Sequence, residues 1–463
     1  MKSVYKEVSS LDQKCYEIYH LSEDLLMEHA AIGLKNAIPD NAKNILIVSG
    51  PGNNGADGIA LARMIQTEYE RVVLFLPYGV KSKMAKIQLE RAQSVGIEVV
   101  DKIFEADVVI DAIFGSGFNR ELDEQTLQII QTLNSYESYK IACDISTGID
   151  IFGNIKQSAF IADTTVTMGA RKIALYSDMA KDYAGDILCA NLGVNDALYE
   201  DKTDIFLLEK EDLKLPKRTQ KNCHKGNFGH LNVIAGKKVG AGIIAAKAAY
   251  AFGAGLVTVI ENEPYSVPYE LMSSTTLSTN ATAICMGMGL GNQYDNSYLS
   301  KFLIYHDLPV LIDADLFYHT ILKEVLDTKK ELVLTPHPKE FASLLKITGF
   351  GNISVSQIQE DRFGWVEKFS IKYPDLVLVL KGANTLISHQ GKIYIQSFGS
   401  NVLSKGGSGD VLGGLIASLL AQGYSLLDAA ISGSIAHALS AKNFSKNNYA
   451  LTPHDLIEGV QCL

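Results

Sequence analysis

Residues 403–414 read Leu-Ser-Lys-Gly-Gly-Ser-Gly-Asp-Val-Leu-Gly-Gly, and the second half of the chain is organised around them. Two adjacent glycines, a hydroxyl residue, a third glycine and an aspartate lead into an apolar helical pattern. Gly406, Gly407 and Gly409 can take positive φ and let a phosphate approach the backbone. A helix starting near Asp410 would aim free N–H groups and its positive dipole end at that anion. Asp410 then sits where a carboxylate could deprotonate a hydroxyl facing the phosphate. The other reading is a glycine-rich turn before a buried helix, with Asp410 as its N-cap. The motif in isolation does not separate the two.

Working outward, a strand–helix alternation leads up to this motif. Residues 231–235, 256–260, 283–286, 310–312, 332–334 and 376–380 are apolar runs of strand length, and 243–252 reads as a helix. Polar or glycine-rich loops follow the strands: 236–242, 287–291, Asp313-Ala314-Asp315, Thr335-Pro336-His337-Pro338-Lys339-Glu340 and Lys381–Thr385. A hairpin over 385–396, turning at His389-Gln390-Gly391, precedes the motif. Lys381, Thr385 and the glycine motif together read as a nucleotide phosphate site. No GxxxxGK(S/T) occurs, so this is not a P-loop enzyme. Taken singly, His337 could merely stiffen a proline turn and Lys381 could be solvated.

The first half shows the same alternation. Ser22–Asn36 is a helical pattern with Ser22 as N-cap, 44–49 a buried strand, 71–76 the next strand and 82–95 the next helix. Strand patterns follow at 107–110, 140–145 and 163–168, with Lys172 just beyond the last. This predicts a doubly wound parallel sheet. Gly50–Gly55 matches GxGxxG, but strand 71–76 ends without the acidic residue that a dinucleotide dehydrogenase places on the ribose. Asn53, Asn54 and Asp57 crowd one turn where packing needs none of them. Two further polar loops, Asp111–Glu121 and Asp144–Asp150, also follow strands. Such loops share one crevice in an open parallel sheet. Their carboxylate, amide and hydroxyl oxygens could form a small hard-cation site beside a polar ligand.

At 463 residues, two large α/β domains are allowed, and a join is expected near 205, giving 1–205 and 206–463. The polar stretch 192–225, with Lys217, Arg218 and Lys221, reads as a solvated connector, and 203–208 as an edge strand of either domain. The net charge of −10, with no long basic run, argues against duplex nucleic acid and anionic membrane as general partners. Six scattered cysteines without ligand spacing read as reduced thiols of a cytosolic protein. The polar first twenty residues do not read as a signal peptide, and no 18-residue apolar window occurs.

GPGNNGADG, DAIFGSGFNRE and DISTGID resemble the loops of the YjeF N-terminal family, the NAD(P)H-hydrate epimerases. The resemblance implies that Asn53, Asn54, Gly55, Ala56 and Asp57, with Gly115, Ser116, Gly117, Phe118, Asn119, Arg120 and Glu121, bind a hydrated nicotinamide nucleotide. It further implies that Asn54, Asp111 and Thr147 ligate K⁺, and that Asp144 binds substrate and is the acid/base group. The family usually has Asp-(Ile/Val)-Pro-Ser-Gly where this chain has Asp144-Ile-Ser-Thr-Gly148; Thr147 keeps the hydroxyl oxygen.

TPHPKE, LKGANT and GGSGD, in that order, resemble the carbohydrate-kinase-like family of ADP- or ATP-dependent NAD(P)H-hydrate dehydratases, within the ribokinase-like superfamily. By resemblance, Ala241, Gly289, His337 and Asp410 contact the hydrate, with Asp410 also catalytic. Lys381, Gly382, Ala383, Asn384, Thr385 and Gly409 hold the adenine nucleotide. Ser408 stands for the commoner threonine, and Met288 for proline in Gly-Pro-Gly-Leu-Gly. The implied architecture is a Rossmann-like domain followed by a ribokinase-like α/β domain. The implied function is repair of hydrated NADH and NADPH: epimerisation, then dehydration at the expense of ADP, with Mg²⁺ accompanying the nucleotide. The protein is expected to be a cytoplasmic homo-oligomer. A ribokinase-type vitamin-precursor kinase shares GGxGD but leaves the first domain without a reason, and a non-catalytic nucleotide sensor would bind without turnover.

Overall fold

The apolar runs of the first half become strands because each is buried on both faces, as central parallel strands are. In the computed structural model, which describes residues 1–261, 266–291 and 294–463, the chain divides into two compact units. One comprises Ser3–Thr203; the other Asp204–Leu463 with Met1–Lys2.

In the first unit, β1 (Lys2–Tyr5) is followed by β2 (Asn44–Ser49), β3 (Arg71–Phe75), β4 (Glu98–Val100), β5 (Val108–Ala112), β6 (Tyr139–Cys143), β7 (Thr164–Met168), β8 (Arg171–Lys172) and β9 (Asp186–Ala190). The main sheet is parallel, ordered β4-β3-β2-β5-β6-β7-β9, while β1 pairs with β8. Order reverses between β2 and β5, so their carboxyl ends open the crevice where ligands bind in such sheets. Alternate side chains feed two cores: Ile45 and Ile47 face one, Leu46 and Val48 the other. Ser22 caps helix Glu23–Lys35, its hydroxyl accepting from Leu25 N. Asp186–Ala190, which carries no clear apolar run, forms β9, an edge strand with exposed Asp186 and Leu188.

The second unit contains β10 (Ile205–Leu207), β11 (His230–Ile234), β12 (Leu256–Ile260), β13 (Met272–Ser274), β14 (Ala283–Met286), β15 (Val310–Ile312), β16 (Leu332–Leu334), β17 (Val377–Leu380), β18 (Thr385–His389) and β19 (Lys392–Gln396). Their order is β13-β12-β11-β14-β15-β16-β17-β18-β19-β10. Only β18 runs antiparallel to its neighbours. Strand β10 pairs with β19, which assigns that edge strand to this unit. The β18–β19 turn places Gln390 and Gly391 at φ 52° and 77°, the positive pair of a type I′ hairpin.

Two helix starts differ from expectation. Helix Val239–Ala251 begins four residues earlier than 243, through Gly240 and Gly242. Its small side chains lie against helix Ser408–Ala421, so closely that a Cβ at Gly414 would run into Ala245 O. Tight packing of small residues outweighs the poor helix propensity of glycine here. Helix Ser408–Ala421 starts two residues before Asp410 and is capped by Gly407 at φ 89°. The N-cap reading of Asp410 is therefore overturned; its carboxylate is not used for capping. Among the described residues no helix is long and apolar enough to cross a membrane.

Candidate active sites

In the first unit, β2 ends at Ser49 and a three-residue turn leads into helix Asn53–Ile65. A Cβ at Gly50 would strike Ile113 O, and one at Gly55 would strike Gly50 O. These glycines bring three backbone segments together at the crevice. Asn53 donates to Glu23 Oε1 at 2.6 Å. The loop after β5 lies opposite: a Cβ at Gly115 would stand 2.8 Å from Asn54 Oδ1 and 3.1 Å from Asp144 Oδ2. Glycine lets those two polar groups approach one point.

Asp111, at the end of β5, is fully buried. It accepts from Thr147 N at 2.8 Å, Thr147 Oγ1 at 2.7 Å and Ile113 N at 3.1 Å. Burial, against these hydrogen bonds, pushes its carboxyl up to about 6. Asn54 Nδ2 is buried with no hydrogen-bond partner. Turning that amide over would present its oxygen at the same place. Asn54, Asp111 and Thr147 are all oxygen donors, the chemistry a hard alkali cation requires.

Asp144, just after β6, adopts φ 67°, a left-handed conformation that aspartate tolerates better than most residues. Its Oδ2 accepts from Ser116 N at 3.0 Å. Its Oδ1 meets Lys172 Nζ at 2.7 Å and Met168 N at 3.2 Å. Burial alone would raise this carboxyl; the Lys172 ammonium and these donors win and hold it below its ordinary value. A cavity of about 640 Å³ opens above, lined by Asn53, Asn54, Asp57, Gly115–Arg120, Asp144 and Lys172 among others. Gly55 and Ala56 are buried behind it, and Glu121 stands outside the lining.

In the second unit, Asp313 follows β15 and Lys381 follows β17. Lys381 Nζ lies 2.7 Å from Asp313 Oδ1 and 3.8 Å from Glu340 Oε2. His337 caps helix Pro338–Ile347: its Nδ1 accepts from Lys339 N and Glu340 N, and Glu340 accepts from His337 N at 2.8 Å. Burial pushes Glu340 up to about 7 despite Lys381. Asp410 belongs to the same charge cluster. Burial and the Asp313 carboxylate push it up to about 6, against the pull of Lys381. A Cβ at Gly409 would stand 3.6 Å from Lys381 Nζ. Gly289, at φ 61°, brings its loop against Ala241, 3.1 Å from a Cβ built there. Asn384 is buried, while Gly382 and Ala383 are exposed and Thr385 opens β18. Beneath them Arg362 donates to the carbonyls of Asn384, Leu380 and Lys381.

Residues 231–461 match the model of the NAD(P)H-hydrate dehydratase family, and residues 23–174 that of the YjeF-related protein N-terminus. The bifunctional NAD(P)H-hydrate repair enzyme of Helicobacter pylori is 45% identical over an alignment covering 100% of both chains. That of Coxiella burnetii is 34% identical over 86% of this chain and 85% of its own. The chain belongs to the bifunctional NAD(P)H-hydrate repair enzyme family. Among solved structures it is similar to the ADP/ATP-dependent NAD(P)H-hydrate dehydratase of Bacillus subtilis co-crystallised with ATP/Mg²⁺. The identity there is 26% over 56% of this chain and 97% of that one, with a TM-score of 0.48.

Family membership makes the architecture a Rossmann-like unit followed by a ribokinase-like one. It leaves the polar contacts to be read from this chain itself. Sequence reasoning gave Lys172 no role, because a lysine four residues past a strand end looks like any solvated one. Its only signal is the apolar company of Ile173-Ala174-Leu175. Asp313 was visible only as part of a polar loop, and its ion pair with Lys381 joins residues 68 apart in sequence.

Proposed function

We propose that this chain repairs hydrated NADH and NADPH in two steps: residues 1–205 interconvert the two epimers, and residues 206–463 dehydrate the S epimer. The reading is supported by the full-length match to bifunctional repair enzymes. The observation that carries it is a lysine–aspartate pair at the strand ends of each unit, Lys172 with Asp144 almost fully buried and Lys381 with Asp313 partly buried.

In the first unit, Asp144 is held ionised by Lys172, so it accepts a proton at the hydrated carbon's substituents. Ser116 N–H fixes the carboxylate's second oxygen, and Gly115–Arg120 with Asn53 and Asn54 seat the nicotinamide nucleotide. Asn54, Asp111 and Thr147 would hold K⁺, which supplies fixed positive charge beside the polar ligand.

In the second unit, Asp410 takes the proton of the hydrate's hydroxyl as its oxygen attacks the terminal phosphoryl group of ADP. Lys381 and the N–H groups of the 406–409 loop stabilise the charge on that group. His337, Ala241 and Gly289 contact the hydrate, and Lys381–Thr385 with Gly409 hold the nucleotide. AMP leaves first. Phosphate, a far better leaving group than hydroxide, then departs from carbon while the neighbouring carbon gives up a proton, restoring the dihydronicotinamide. Among the described residues there is no group of three or more carboxylate, imidazole or thiol ligands at metal spacing. Mg²⁺ would therefore be held chiefly by nucleotide phosphate oxygens and water.

The test supplies an epimer mixture of hydrated NADH with ADP or ATP, with and without K⁺, and follows recovery of dihydronicotinamide. Complete recovery with ADP, slowed for the R epimer without K⁺, is expected. A stable phosphorylated product would point to a small-molecule kinase instead.

A further inference from the structure

Asp57 has no role in the mechanism above beyond lining the cavity, yet its setting is unlike that of its neighbours. It lies on the second turn of helix Asn53–Ile65 and lines both the 640 Å³ cavity and an adjoining chamber of about 110 Å³. Among the described residues no hydrogen bond or ion pair reaches its carboxyl group. Asp144 has the opposite setting, tied to Lys172, Ser116 N and Met168 N. The helix carrying Asp57 follows β2 and Asp144 follows β6, with β5 between. Both carboxyl groups line the same cavity, with the Gly115 loop that follows β5 also in its lining.

The groups facing Asp57 are Asp12 and Tyr16 from helix Ser9–Glu17, Glu23, Cys143, Asp144 and Lys172. Burial, then the charges of Asp144, Asp12 and Glu23, push Asp57 well above the ordinary carboxylate range, against Lys172. Two carboxyl groups lining one cavity, one pushed toward its neutral form and, among the described residues, free of hydrogen bonds, the other held toward its ionised form by Lys172, are suited to act as an acid and a base.

We propose that Asp57 is the general acid of the epimerase reaction, working across the substrate from Asp144. The inference rests on the epimerase reading. In the hydrate the hydroxyl-bearing carbon is bonded to the ring nitrogen. Asp57 gives its proton to the hydroxyl; the C–O bond breaks, its electron pair leaves with water, and the nitrogen lone pair forms a C=N⁺ bond. Water then adds to the opposite face as the C=N pair returns to nitrogen, and Asp144 takes the proton that this water sheds. The carbon is inverted, Asp57 is left ionised and Asp144 protonated. The reverse epimerisation restores the pair, as does proton exchange with solvent.

The test uses the full chain. Asp57→Asn keeps size and shape and is expected to lower kcat for R-to-S conversion about 100-fold, with KM within about threefold. The alkaline limb of the wild-type pH profile, set by loss of the Asp57 proton, should vanish in the variant, while ADP-dependent dehydration of the S epimer is retained. Independently of any variant, wild-type turnover in H₂¹⁸O should carry one solvent oxygen into each inverted product, above the uncatalysed background. A variant within threefold of wild type, a retained alkaline limb, or inversion that keeps the original oxygen overturns the proposal. If the wild-type chain dehydrates the S epimer yet never exchanges epimers, the epimerase reading itself falls, and this inference with it.

Discussion

Lys172 Nζ lies 2.7 Å from Asp144 Oδ1, and both side chains are almost fully buried, at 3% and 9% exposure. Thr167 Oγ1 and the carbonyls of Met168 and Ala170 accept from the same ammonium, so it is fixed in place. Lys172→Met leaves Asp144 buried without its counter-charge. In the wild type the depressed carboxyl stabilises the fold above its unfolded value of about 3.9, and that contribution is lost as pH falls through the lower folded value. In the variant burial dominates, the folded value rises above the unfolded one, and ionisation destabilises. The cost of the substitution should therefore grow with pH, from small at pH 4 to about 3–5 kcal/mol at pH 7. Denaturant unfolding at the two pH values measures it. Equal cost at both would contradict this account of the pair.

Asp144 sits at φ 67°, where asparagine is tolerated and alanine is strained. Asp144→Asn should still fold, though less stably because buried Lys172 loses its counter-charge, with epimerase kcat reduced about 10²–10⁴-fold. Asp144→Ala should lose the same activity and in addition melt earlier, by the roughly 1–3 kcal/mol that a left-handed non-glycine residue costs. Calorimetry beside the rate assay separates the two effects.

Asp410 is pushed up to about 6, so it is protonated and idle as a base in mildly acidic solution. Dehydratase kcat/KM should rise with pH and reach half its plateau near 6. Asp313 is the charge that contributes most to that rise after burial. Asp313→Asn should move the midpoint to lower pH while also weakening nucleotide binding, because Lys381 loses its 2.7 Å partner. A pH–rate profile of both proteins decides the matter.

Gly407 and Gly409 should respond differently to alanine. Gly407 has φ 89°, and a Cβ there would crowd Pro453, so Gly407→Ala should lower Tm. Gly409 has no positive φ, and its new methyl would meet only Lys381 Nζ at an ordinary 3.6 Å. Gly409→Ala should melt like wild type yet raise KM for ADP about tenfold or more, by filling the space a phosphate needs. Nucleotide titrations and melting curves check the contrast.

The central strands of both units were legible as residue runs because parallel strands covered on both faces carry continuous apolar side chains, as in 44–49 and 256–260. Of the edge strands, 203–208 was legible, but three others were not. Glu98–Val100 and Met272–Ser274 are three residues long and partly exposed, and Asp186–Ala190 alternates exposed with covered positions. The loops at strand ends could be read because each gathers polar residues that packing does not need. Lys172 and Asp313 could not be assigned, since a buried ion pair is defined by its partner, and these partners lie 28 and 68 residues away. The early start of helix Val239–Ala251 was hidden for a different reason: Gly240 and Gly242 read as loop until helix Ser408–Ala421 is laid against them.

The central claim is a division of labour between two sites acting on one damaged coenzyme. It is tested most directly by giving an epimer mixture of hydrated NADH and ADP to the wild type, Asp144→Asn and Asp410→Asn, and resolving both epimers and product over time. The account predicts full conversion by the wild type. Asp144→Asn should consume the S epimer and then stall on the R epimer at the uncatalysed rate, and Asp410→Asn should equilibrate the epimers without forming product. Loss of both activities together in either folded variant would contradict it.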